Sequence, residues 1–134
     1  MRKCRIYDKH LKIVRDAKYI DFANEEVMFY GDEFEGNEEN ANLDIVRSFD
    51  EVNIMWSTGI KDNNGVEIYE GDLVDHIYKG HTLRGKVVGN SGNPILMENI
   101  YDTSNFKSKP RKSTKMEGEC YVVGNIYEDQ EWKN

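Results

Sequence analysis

"TGIKDNNGVEIYEGDLVDH", Thr58–His76, decides how this chain is read. With five acidic side chains, three glycines and an Asn-Gly pair, the stretch can be a cation loop, an acid–base cluster or a hairpin that builds a sheet. Asp62-x-Asn64 starts as a calcium loop would, but Val66 stands where a third oxygen ligand is needed, Glu67 where the sharp-turn glycine belongs and Leu73 where a bidentate Glu should be. The turn reading fits better. Asn64-Gly65 falls where a type I′ hairpin needs positive φ, between β-branched and aromatic "VNIMWSTGI" (Val52–Ile60) and alternating "VEIYEGDLVDHIY" (Val66–Tyr78). That alternation is expected to turn Val66, Ile68, Leu73 and Ile77 inward. Gly71-Asp72 interrupts it, the glycine permitting a sharp bend and the carboxylate accepting a hydrogen bond from an N–H two residues on.

Outward from this centre, "TLRGKVVG" (Thr82–Gly89) reads as a strand ending at the turn cluster "NSGNP", and "ILMENIY" (Ile95–Tyr101) as the next. "CYVVGNIYED" (Cys120–Asp129) carries a buried closing strand. Toward the amino terminus, Lys3–Tyr7 and Leu11–Arg15 form a hairpin about Asp8-Lys9-His10. Ala23–Tyr30 fits a helical turn or a strand equally, and Gly31–Asn42, acidic and rich in Asn, reads as a loop. The expected fold is mainly β, a small barrel core preceded by an N-terminal β-hairpin and an irregular acidic segment. Residues 1–51 hold the hairpin and acidic segment and residues 52–134 the barrel core and closing strand, within one compact unit.

Charge is blocked along the chain. Residues 1–20 carry seven basic against two acidic side chains, residues 21–78 two against sixteen, residues 79–115 eight against two, and residues 116–134 one against five, for a net of −7. Such blocks can give one molecule an acidic face and a basic patch, able to attract polyanions or another copy of itself. Two cysteines near opposite ends, Cys4 and Cys120, and no signal-like or membrane-spanning run point to a reduced pair in the cytoplasm.

Three kinds of chemistry compete. Glu67, Glu70, Asp72 and Asp75 offer the paired carboxylates of a hydrolase, but in alternating strands such acids more often form the solvent face, and no nucleophile or oxyanion motif accompanies them. Cysteine–histidine pairing has no local signature, and the two Cys and three His lack the spacing that presents zinc ligands together, so no catalytic residue, metal or cofactor is expected. Lys107, Lys109, Arg111, Lys112 and Lys115, with Phe106 and Tyr101 for stacking, form the best local candidate for nucleic-acid binding. Against it, the chain is acidic overall and a lysine-rich loop is commonly just solvated.

The sequence also resembles the YopX family of phage and prophage proteins. The resemblance rests on "TGIKDNNGVEIYEGDLV", "VVGNIYED" and "CRIYDKHLKIV". It marks Thr58, Gly59, Asp62, Gly65, Ile68, Tyr69, Glu70, Gly71, Asp72, Gly124, Asn125, Ile126 and Tyr127 as fold-building residues, with Glu70 and Asp72 as the candidates for a functional exception. The family implies an accessory protein of bacterial mobile elements without an established reaction. "EGDLV … GKVVG" is similar to the early strands of SH3-like barrels, which implies a binding module. The leading expectation is therefore a non-enzymatic protein acting through a protein partner or its own copies, followed by the nucleic-acid module and then the hydrolase.

Overall fold

The computed structural model describes residues 3–30, 44–90, 95–103, 114–116 and 118–128. They form twelve strands: β1 (Cys4–Asp8), β2 (Ile13–Asp16), β3 (Tyr19–Asp21), β4 (Glu26–Tyr30), β5 (Asp44–Ser48), β6 (Val52–Lys61), β7 (Glu67–Tyr69), β8 (Asp72–Tyr78), β9 (His81–Asn90), β10 (Ile95–Asp102), β11 (Thr114–Met116) and β12 (Cys120–Asn125). A single 3-10 turn, Phe49–Glu51, is the one helical element among the described residues. No helix among them is long and apolar enough to cross a membrane. The expected mainly β class is the observed one, whereas the acidic segment 31–42 lies outside the described residues.

Contacts divide the chain into two compact units, Lys3–Met55 and Trp56–Asn134. In the first, β1 and β2 make the N-terminal hairpin with Asp8 opposite Ile13. The alternating burial of β1 sends Cys4, Ile6 and Asp8 inward. Asp8 is fully buried and is compensated there by Arg47, whose Nε donates to its Oδ1 at 3.0 Å, and by the Leu11 N–H, which donates to Oδ2 at 3.2 Å. Ala23–Tyr30 resolves as a turn followed by β4, the centre of a three-stranded sheet ordered β3-β4-β5. Its inward residues Val27 and Phe29 join Ile6 and Val52 in an apolar cluster, each such side chain contributing about 1.5–3 kcal/mol by leaving water.

In the second unit the five-stranded sheet β11-β10-β9-β8-β12 bends as a half-barrel. Ile68, Val74, Val87, Met97, Ile100 and Cys120 fill it. Gly85 on β9 permits the tightest approach, because a Cβ there would lie 2.9 Å from Ile100 Cγ1 and from Met97 Cε and 3.1 Å from the Glu98 carbonyl oxygen.

Two local expectations change. Val66 does not turn inward but stands 41% exposed, and Ile77 is only half-buried; Val74 and His76 are the buried alternates on β8. The turn is not type I′, since of Asp62–Gly65 only Gly65 has positive φ, at 80°. Its Gly65 N–H bonds to the Asp62 carbonyl at 3.0 Å and the Asp62 N–H to the Val66 carbonyl at 2.8 Å, a longer loop that ends in a left-handed glycine. Asp72 Oδ2 also accepts the Tyr69 N–H behind it, at 2.8 Å.

Candidate functional site

Asp62, Glu67, Asp72 and Asp75 each meet a specific donor. Asp62 is buried at the tip of the β6–β7 loop. Its Oδ1 accepts the N–H groups of Asn64 and Val66, both at 2.8 Å, and its Oδ2 accepts the Val122 N–H of β12 at 2.9 Å. Asn63 completes the link, since its Oδ1 accepts the Cys120 N–H at 3.0 Å and its own N–H donates to the Cys120 carbonyl at 3.0 Å. Tyr121 and Glu119 face β8, so Cys120 and Val122 present their backbone groups to the opposite, outer edge of the sheet, and this loop occupies it. Two side chains thus do for β12 what another strand would do.

Upstream on β6 the register with β7 shifts between Ser57 and Lys61. Thr58 Oγ1 donates to the Ile68 carbonyl at 2.7 Å and accepts the Ile60 N–H at 3.1 Å, while Ser57 Oγ donates to Glu67 Oε2 at 2.7 Å and accepts the Gly59 N–H at 3.0 Å. The hydroxyls satisfy backbone groups that the shift removes from the ladder. Ile68 and Tyr69 are buried. Across the Glu70-Gly71 turn, the Glu70 N–H reaches the Trp56 carbonyl and the Gly71 N–H the Val87 carbonyl, both at 2.8 Å.

At the end of β12, which has a register shift between Val122 and Gly124, Asn125 Oδ1 accepts the N–H groups of Tyr127 at 3.0 Å and Glu128 at 2.8 Å. Ile126 ties back through its N–H to the Gly71 carbonyl at 2.9 Å. Burial first, and the charge of Glu70 second, push the Tyr127 phenol above its usual value. Two of the three stretches that carry the family resemblance therefore meet: Asp62 with Val122, and Gly71 with Ile126.

This arrangement uses the Asp62, Glu67, Asp72 and Asp75 carboxylates as acceptors. Asp75 is held by Arg84 through contacts of 2.6 and 2.9 Å, a bidentate pair that raises the Arg84 guanidinium further above its ordinary value. The thiols run opposite to nucleophilic use, because burial raises both Cys4 and Cys120, with Asp16 and Asp62 respectively adding to it. His10 contacts Glu51 at 2.7 Å, His81 contacts Asp102 at 3.0 Å, and His76 is buried and stacked on Tyr78. No group of three or more potential metal ligands comes together among the described residues. Of the basic candidates, Lys107, Lys109, Arg111 and Lys112 lie outside the described residues, and Lys115 lies on β11, its backbone opposite Leu96 of β10.

Sequence reasoning passed over a different group. Tyr19, Phe22, Tyr30 and Val46, all in the first unit, stand 52%, 64%, 45% and 48% exposed. Their signal was present in "YIDF", "EVMFY" and "DIVRS" as apolar residues falling on both phases of a period of two.

No curated protein matches the chain. Among solved structures it is similar to protein EF1440 from Enterococcus faecalis, at 20% identity and a TM-score of 0.51, over 98% of this chain and 96% of that one. That likeness concerns the fold. The family model described as YopX protein matches residues 3–132, which takes in the clamped loop, the Gly71 turn and the Asn125 turn. The chain belongs to the YopX family.

Proposed function

We propose that the chain is a non-enzymatic accessory protein of a phage or prophage, working in the cytoplasm of the bacterial host by binding a protein partner or further copies of itself. The observation that carries this reading is the division of labour among its side chains. Asp62 and Asp72 hold turns and backbone N–H groups, while four large apolar side chains stand in solvent within the first unit. An exposed apolar group of that kind is what a docking surface requires. An SH3-like barrel core over Val52–Glu128 belongs to the same reading, and the bent five-stranded sheet supports it. So do the charge blocks, which favour association at low ionic strength.

Selection of a random-peptide display library on the immobilised chain, with light scattering of the chain in solution, tests the proposal. Enriched peptides that compete with one another, or a mass above the 15.6 kDa of one chain, support it. A strict monomer that enriches nothing, and binds labelled oligonucleotides in a salt-sensitive way, replaces it with nucleic-acid binding.

A further inference from the structure

The sheet β3-β4-β5 has two faces of different use. Val27 and Phe29 turn inward, so Glu26, Met28 and Tyr30 turn outward. Register then builds outer rows: Tyr19, Met28 and Val46 in one, Asp21, Glu26 and Ser48 on one side of it, and Tyr30 with Asp44 on the other. An apolar stripe runs across all three strands and ends at Val46. Acids flank it on both sides, and the cation among these flanking groups, Lys18, is engaged by Asp44 at 3.3 Å and lies 4.5 Å over the Tyr30 ring.

The stripe ends on an edge. Among the described strands β5 has one neighbour, β4. The Phe49 N–H bonds to the Glu25 carbonyl at 2.9 Å, making that pair a hydrogen-bonded one. Alternation then pairs Val27 with Arg47 and Phe29 with Ile45 through the ladder, and turns the backbone groups of Asp44 and Val46 away from β4. Contrast β12, whose outer edge is filled by Asp62 and Asn63.

We propose that the outer edge of β5 accepts, as an added strand, an extended segment of a partner protein carrying an apolar residue flanked at alternate positions by Lys or Arg. The apolar residue extends the Tyr19–Met28–Val46 row, and the basic ones meet Asp44 on one side and reach past Ser48 toward Glu26 on the other. Backbone pairing supplies affinity, and the alternate side chains supply selection. The inference rests on reading the chain as a protein-binding module and names where, and for what, that module binds.

The same display selection, repeated on variants, tests it. Val46→Glu puts a charge into the stripe, whereas Val46→Pro removes an N–H that faces away from β4 and so leaves the β4–β5 ladder intact. Met28→Thr thins the stripe without touching the edge. Circular dichroism and melting establish that each variant folds, and Met28→Thr keeps the test open if the proline variant does not. Wild-type chain is expected to enrich peptides of the pattern basic–x–apolar–x–basic, with affinity falling about tenfold or more in Val46→Glu and Val46→Pro. Enriched peptides that bind both variants as well as wild type overturn the β5 site and leave the binding module standing elsewhere. A self-association abolished by Val46→Glu, with no peptide enriched, overturns the foreign occupant in favour of a second copy. A strict monomer that enriches nothing overturns both readings together.

Discussion

Asp62 Oδ2 and the Val122 N–H meet at 2.9 Å across 60 residues of sequence, joining the β6–β7 loop to the edge of β12. The same carboxylate orders its own loop through Asn64 and Val66. Replacing Asp62 by Ala leaves the loop N–H groups open to water, since Asn64 and Val66 are exposed, but strips the edge N–H of Val122 of its acceptor. The expected loss is about 2 kcal/mol in urea unfolding, most of it from that single donor. Asp62→Asn, which keeps an oxygen for the loop, is expected to lose less.

Gly85→Ala is expected to destabilise the second unit by about 1–3 kcal/mol, since the new methyl meets Ile100, Met97 and the Glu98 carbonyl together. Met97 Cε is the end of a flexible side chain and can retreat, whereas Ile100 Cγ1 sits next to the branch point and the Glu98 oxygen is backbone. Met97→Leu in the Gly85→Ala background, which removes the Cε, should recover part of the loss, and a double-mutant cycle by thermal melting measures the coupling.

Glu51 supplies a pH dependence with a definite sign. Its Oε1 accepts the Ser48 N–H at 3.0 Å and the Ser48 hydroxyl at 2.8 Å, and its Oε2 meets His10, which together lower its carboxyl from 4.5 to about 2. A carboxyl depressed on folding contributes stability that is complete above its unfolded value and is lost as pH falls through the folded one. The difference in stability between wild type and Glu51→Gln should therefore be constant above about pH 5 and shrink steadily towards about pH 2. A gap that widens on acidification would contradict the assignment.

Cys4 and Cys120 should react slowly with a thiol reagent at neutral pH in the folded chain, because both are free, buried and raised above their ordinary value. Denaturant should release both to the rate of an ordinary exposed thiol. Fast labelling of Cys120 in the native chain would point to opening of β12.

Much of this architecture is legible in the residues, and the gaps have causes. β6 to β9 follow from β-branched runs and an Asn-Gly pair, and the amino-terminal hairpin from its short turn. The turn type was not legible, because Asn-Gly statistics do not see that the carboxylate beside them holds two N–H groups of the loop. Val66 followed the alternation but belongs to that same loop, where its N–H matters and its side chain does not. β4 was ambiguous because Met28 and Tyr30 are apolar on its outer phase and so blur the period of two. Of the two residues that hid the strand, Met28 is the centre of the stripe and Tyr30 stands beside it. The basic run Lys107–Lys112 lies outside the described residues, so its role rests on sequence alone.

The clamp on β12 also sets an order of events. Hairpins β8–β9 and β9–β10 join neighbours in sequence, so their contacts close quickly. β12 instead returns to β8 and to the Asp62 loop, a closure that costs more chain entropy. It is also the last described strand to leave the ribosome, and until it docks, β8 and the apolar cluster that includes Cys120 are open. Between synthesis and that docking the chain depends on the speed of one late strand, and a slow β12 would expose it to aggregation and proteolysis before any partner is met.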